Sequence, residues 1–201
     1  MVVKHIILLV EEPSMEAFLL GLLPRILPQQ TTFEIRVFQG KNDLLDKLEA
    51  RLRGYAAWLP IDWRLVVLVD QDDDSCRQLK RQLEDLALRA GLRTKSNAIG
   101  LTWQLVNRIA IEELEAWYFG DWVAVREAYP RVSANIPQQQ KYRNPDAISG
   151  GTWETFERMM QRYGYYKGGL AKIEAARAIG SCIDPARSRS QSFIVLCSAL
   201  V

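Results

Sequence analysis

Acidic residues gather at three places, each directly after an apolar run. Glu11 and Glu12 follow "HIILLV" (5–10). Asp70, Asp72, Asp73 and Asp74 follow "LVVLV" (65–69). Glu112, Glu113 and Glu115 follow "LVNRIAI" (105–111). Like charges packed together destabilise a fold unless solvent, basic side chains or a cation offset them. Carboxylates with no Cys or His cluster beside them are hard oxygen donors, which favours Mg²⁺ or Mn²⁺ over zinc. Such ions stabilise the charge that develops in phosphoryl transfer and activate water. Glu11, Asp70 and Asp72 are the leading ligand set, with Glu12 and Asp74 as further metal candidates and Glu113 and Glu115 as further ligands or orienting groups. Asp73 and Asp74 have a second explanation. They stand where a helix begins, and acids are favoured there by capping and by the helix dipole.

These groups converge only if particular elements carry them. "HIILLV" is short, continuous and rich in β-branched residues, and is expected to be a buried strand. A helix should start at Ser14, with Pro24 kinking or interrupting it. "FEIRVF" (33–38) alternates as a second strand. Residues 42–58 carry Leu44, Leu45, Leu48 and Leu52 on one helical face. Residues 65–69 form a third strand, and residues 75–90 form an amphipathic helix ended by Gly91. Residues 105–111 form a fourth strand, and one helix is expected from Glu112 through "EELEAWYFGDWVAVREAY". Alternating strands and helices predict an α/β fold with a mostly parallel sheet flanked by helices, whose sites lie at the carboxyl ends of the strands. All three acidic groups fall at such ends. A loop is expected over 133–151, then helices over 153–163, 169–179 and 184–200, although "SFIVLCSALV" has a composition that suits a strand equally. The expected division is an α/β domain over 1–130 and a mainly helical C-terminal extension over 131–201.

The chain has 201 residues, enough for a sizeable core, and a net charge of +2, which neither indicates nor excludes nucleic acid. Its three cysteines, Cys76, Cys182 and Cys197, fit neither a zinc spacing nor a disulfide framework, and are expected to be reduced thiols in a cytoplasmic protein. No leader or membrane span is expected. His5 is the sole histidine and begins a strand, so a Ser-His-Asp or Cys-His mechanism is not expected.

"LLVEEPSMEAFL" and "LVVLVDQDDDSC" place a glutamate after the first strand and an Asp-x-Asp after the third. In this the chain resembles Toprim domains, the acidic metal-binding fold of topoisomerases, bacterial primases and the overcoming-lysogenization-defect (OLD) nucleases. A fuller likeness is to small bacterial proteins of an uncharacterised Toprim-like family, akin to RloB and OLD-type Toprim nucleases and often encoded beside ABC-type ATPases in phage-defence loci. It covers "VEEPS" (10–14), "LLPRIL" (22–27), Glu113, Glu115 and Trp117 in "IEELEAWYFGD", and "SQSF" (190–193). The resemblance implies Glu11, Asp70 and Asp72 as ligands of one or two Mg²⁺ ions, with the glutamate also acting in proton transfer. It implies hydrolysis of phosphodiesters in DNA, tRNA or other RNA, and an ABC- or AAA-type ATPase as partner. Toprim domains usually have Gly where Glu12 stands, so Glu11 and Glu12 both remain candidates for the first ligand. The oligomeric state, homo-oligomer included, stays open.

A phosphodiester needs cations to hold it. The substrate-binding candidates are Arg25, inside apolar "LLPRIL"; Lys167, beside Gly168 and Gly169; and Ser190 and Ser192, which could equally cap the last helix. Tyr163, Tyr165 and Tyr166 suit packing better than base stacking. Trp117, Tyr118, Phe119 and Trp122 suit a core. Two other functions compete: a non-catalytic partner subunit of an ATPase, and a receiver-like phospho-acceptor domain with Asp70 as acceptor.

Overall fold

The computed structural model describes residues 2–99, 102–148 and 150–200. Among these residues, four strands form one all-parallel sheet: β1 (His5–Val10), β2 (Thr32–Val37), β3 (Trp63–Asp70) and β4 (Leu105–Ala110), in the order β2-β1-β3-β4. Among the described residues, eight α-helices accompany them: α1 (Pro13–Ile26), α2 (Lys41–Ala56), α3 (Cys76–Arg89), α4 (Leu114–Gly120), α5 (Trp122–Ala128), α6 (Thr152–Arg162), α7 (Lys172–Gly180) and α8 (Gln191–Leu200). The expected α/β class, with a helical C-terminal segment, is the one observed.

The described residues fall into two compact units that interleave along the chain. One contains the residues up to Pro13, Leu27–Ile109 and Leu200. The other contains Ser14–Ile26 and Ala110–Ala199.

In the first unit, β1 pairs with β2 from His5↔Thr32 to Val10↔Val37, and with β3 from His5↔Trp63 to Val10↔Leu68. Alternate residues of a strand point to opposite faces. Ile7, Leu9, Leu65, Val67 and Val69 bury one face against Leu44, Leu48 and Leu52 of α2 and Leu79, Leu83 and Leu86 of α3. Ile6, Leu8, Val66 and Leu68, on the other face, are buried too. Burial on both faces is why these strands read as continuous apolar runs rather than as alternation. α3 ends before Gly91, whose φ of 82° is the left-handed conformation that glycine adopts without a Cβ clash.

In the second unit, α1 presents Met15, Phe18, Leu19, Leu22 and Leu23 as a buried stripe. Phe18 meets Trp117 of α4 (5.4 Å between centroids) and Phe193 of α8 (6.0 Å). α1 and α7 approach closely because both carry glycine at the crossing. A Cβ on Gly180 would lie 2.4 Å from the Phe18 carbonyl oxygen, and one on Gly21 would lie 2.7 Å from the Ser181 nitrogen.

Several expected boundaries move. α1 runs through Pro24 and ends two residues later, at Ile26. The carbonyl that Pro24 cannot bond belongs to Leu20, which is exposed and has access to water. The single helix expected from Glu112 is two helices, α4 and α5, broken at Asp121. The expected loop over 133–151 contains three short 3-10 turns, and Ser149 within it lies outside the described residues. α7 begins at Lys172 rather than Gly169, and α8 at Gln191 rather than Asp184. "SFIVLCSAL" is helical, not a strand. Trp117, Tyr118, Phe119 and Trp122 are core residues, as expected.

Candidate metal and phosphate site

β1 lies between β2 and β3, so the loops leaving those two strands meet across the end of β1. β3 extends two residues beyond Leu68, the partner of Val10. That brings Asp70 beside Glu11, and the Asp70 backbone N–H donates to Glu11 Oε2 at 3.3 Å. Both residues are buried, at 4% and 6% exposure; Glu12 is half-buried. A tight turn follows, closed by Asp74 N–H donating to the Gln71 carbonyl (3.1 Å). Asp72 takes φ 48° in it, a left-handed conformation that Asp tolerates better than most residues.

The loop after β2 is pinned to the same strand end. Phe38 N–H donates to the Val10 carbonyl (2.9 Å), and Gly40 N–H to the Glu11 carbonyl (2.7 Å). Gly40 precedes α2 at φ 94°. Lys41 is therefore the first residue of a helix aimed at the turn after β3. Its ammonium forms ion pairs with Asp72 (2.7 Å) and Asp74 (2.9 Å) and donates to the Gln71 carbonyl (2.9 Å). Lys41 thus supplies a counter-charge to two of the acids in this turn. Gln39, Gly40, Lys41, Asn42, Asp72, Asp73 and Asp74 line an open cavity of about 330 Å³.

Burial raises the Glu11 pKa to about 7, with the negative charge of Asp72 adding to the rise. Lys41 and the Asp70 N–H act in the opposite direction. The carboxyl can thus hold a proton near neutrality.

Glu11, Asp70 and Asp72 fit a hard divalent cation by donor type: all are carboxylates, on or beside adjacent strand ends. They are not pre-assembled. Among the described residues, no group of three or more His, Cys, Asp or Glu side chains is placed to hold a metal ion. Asp72 would have to exchange Lys41 for the cation.

The other expected site residues belong to the second unit, apart from Glu12 and Asp74. Glu113 Oε2 accepts from Thr152 Oγ1 (2.8 Å) and Trp153 N–H (2.9 Å), so it caps the start of α6. Glu115 is buried on α4. Arg25 donates to the carbonyls of Gly180 (2.9 Å) and Ile183 (2.6 Å), closing the end of α7. Ser190 Oγ accepts from Phe193 N–H (3.3 Å) at the start of α8 and donates to Asp146 Oδ1 (2.6 Å). Ser192 Oγ accepts from Trp117 Nε1 (2.9 Å). Ser190 thus caps the start of α8, whereas the Ser192 hydroxyl bonds Trp117 and Asp146. Lys167 is exposed, and a Cβ on neighbouring Gly168 would meet nothing within 4 Å. Tyr165 and Tyr166 pack on Tyr129.

Three residues were missed in the sequence. Lys41 follows Gln39-Gly40 at the end of β2, where a parallel sheet places its sites, but a single lysine there forms no pattern of its own. Asp121 is buried and accepts from Arg187, from Asp184 N–H (2.9 Å) and from Ala124 N–H (3.4 Å). Its signal was Gly120-Asp121 interrupting an apolar helical run. Asp146 carried no local signal.

The family described as a domain of unknown function (DUF4276) matches residues 10–200. No curated protein and no solved structure matches the chain. The chain belongs to the DUF4276 family.

Proposed function

For this member of the DUF4276 family, we propose a Mg²⁺- or Mn²⁺-dependent nuclease of Toprim type, with Glu11, Asp70 and Asp72 holding the cation. The observation that supports this most is the burial of Glu11 and Asp70 side by side at adjacent parallel strand ends, close enough to Asp72 for its charge to raise the Glu11 pKa. A fold bears that electrostatic cost more readily where a cation relieves it.

When bound, the cation would supply charge stabilisation at a phosphoryl group and a more acidic water. The chain's own residues account for the remainder. Glu11, titrating near neutrality, accepts or returns a proton at its carboxyl. Lys41, at the N-terminus of α2, presents its ammonium to a phosphate oxygen in the cavity once Asp72 leaves it. Glu113 supports the start of α6 rather than touching substrate. The phosphodiester substrate, DNA or RNA, and an ATPase partner in phage defence rest on the family resemblance.

A second reading has its own support. Lys41 already neutralises Asp72 and Asp74, and no ready-made metal cluster stands among the described residues. That suits a non-catalytic partner subunit whose acidic turn is structural.

The test is incubation of the purified chain, alone and with a neighbouring ATPase, with DNA and total tRNA in Mg²⁺ or Mn²⁺. Asp70→Ala and Glu11→Ala run alongside. Cation-dependent cleavage, lost in both folded variants, is the expected result. Cleavage that survives both variants, or no cleavage under any condition, overturns the nuclease reading; the latter favours the partner subunit.

A further inference from the structure

The second unit contains a cavity of about 430 Å³ between α6 and the 136–148 segment. Ligand pockets commonly range from about 300 to 1,000 Å³. Its charged lining is entirely basic: Lys141, Arg158 and Arg162, with no Asp or Glu among the lining residues.

Arg158 and Arg162 are one turn apart on α6, so like charges stand side by side, an arrangement that destabilises a helix. At the same spacing other helices carry opposite charges in Asp43 with Lys47, Glu49 with Arg53 and Lys80 with Glu84, and like charges in Lys47 with Arg51 and Arg77 with Arg81. Among the described residues, Lys141, Arg158 and Arg162 form no ion pair. The cavity walls are nevertheless ordered by contacts. Arg158 Nη2 donates to the buried Thr155 hydroxyl (3.1 Å). Lys141 Nζ stands 4.6 Å from the centre of the Tyr142 ring, and that ring stacks on buried Phe119 (5.3 Å).

The rest of the lining differs in kind. Ile136, Ile148 and Met159 are buried apolar residues, and the Tyr163 ring is half-buried. Gln139 and Gln140 add neutral amides. Three cations suit a phosphate, an apolar and aromatic wall suits a flat base, and amides suit the base edge or sugar hydroxyls. A bare anion would leave the apolar wall unused.

We propose that this cavity binds a nucleoside phosphate, with Arg158, Arg162 and Lys141 on the phosphate and Met159, Ile136 and Tyr163 against the base. The proposal does not depend on the carboxylate site, since none of that site's residues lines the cavity. The same group could arrive as a free mononucleotide or as the phosphorylated end of a strand.

The test is calorimetric titration of the full chain, in chloride buffer with chelator, using AMP, GMP, CMP and UMP. Inorganic phosphate, unphosphorylated adenosine and a 5′-phosphorylated oligoribonucleotide are the comparison probes. Arg158→Gln, Arg162→Gln and the double variant are run with melting curves, both side chains being exposed. At least one mononucleotide, or the phosphorylated oligonucleotide, should bind, with affinity falling about tenfold per arginine removed while the melts are unchanged. Binding of the oligonucleotide but not of mononucleotides identifies the strand end as the source. Absence of binding by all of these, binding unchanged in the double variant, or inorganic phosphate binding as tightly as any mononucleotide overturns the proposal.

Discussion

The Lys41 ammonium lies 2.7 Å from the Asp72 carboxylate, although the two residues enter from loops on opposite sides of β1. In Lys41→Met, Asp72 and Asp74 lose their counter-charge. With chelator present the variant should be less stable by about 1 kcal/mol, because both acids are half-exposed and partly screened. Mg²⁺ should raise its melting temperature more than it raises that of the wild type, since the competing ammonium is gone. Equal melts with and without Mg²⁺ in both proteins would argue against a cation site.

Glu11 gives the fold a pH dependence of definite sign. Its folded pKa is about 7, against a usual 4.5, so across that window the folded chain binds the proton more tightly than the unfolded chain. Stability contributed by this group therefore falls as pH rises through the window, by at most about 3 kcal/mol. Glu11→Gln should be more stable than the wild type above about pH 7, and its stability should change less from about pH 5 to about pH 8. Urea unfolding in chelator at a series of pH values checks this.

Glu113 distinguishes a capping role from a catalytic one. Its carboxylate accepts from the Thr152 hydroxyl and the Trp153 N–H. Glu113→Ala should lower stability by about 1 kcal/mol, whereas Glu113→Gln, which keeps an acceptor oxygen, should lose less. Any cleavage activity should survive Glu113→Gln. Loss of cleavage in a stably folded Glu113→Gln would instead move Glu113 into the chemistry.

Gly180 permits the crossing of α1 and α7. In Gly180→Ala the new methyl meets the Phe18 backbone, which cannot rotate away as a side chain can. Thermal or urea unfolding should show a loss of about 3 kcal/mol. Ala at Gly54, where a Cβ meets nothing within 4 Å inside α2, should be neutral or slightly stabilising.

The sheet was legible because buried parallel strands have a local signature: short, continuous apolar runs that end in turn or charge signals. His5–Val10 matches its expected bounds, and the other strands match within two residues. The residues quoted for the family resemblance have partners that no local signature gives. Trp117, Ser190, Ser192 and Phe193 meet in the second unit: Trp117 bonds Ser192 and packs on Phe193 at 5.2 Å. Arg25, from the same set of segments, closes α7. Of these, Arg25, Ser190 and Ser192 are substrate-contact candidates by residue type, the serines equally caps, while Trp117 suits a core. As neighbours they hold helices together.

Residue order alone was enough to place Glu11, Asp70 and Asp72 at strand ends, because strand period and turn chemistry are local. The partnership of Lys41 with Asp72 and Asp74 required the strand order β2-β1-β3, which brings residues some 30 positions apart across one strand end. The caps made by Glu113 and Arg25, and the bonds from Ser190 and Ser192 to Asp146, likewise join residues far apart in sequence. A charged side chain's role depends on which unpaired backbone group or counter-charge the fold sets beside it, and no local pattern encodes that distance.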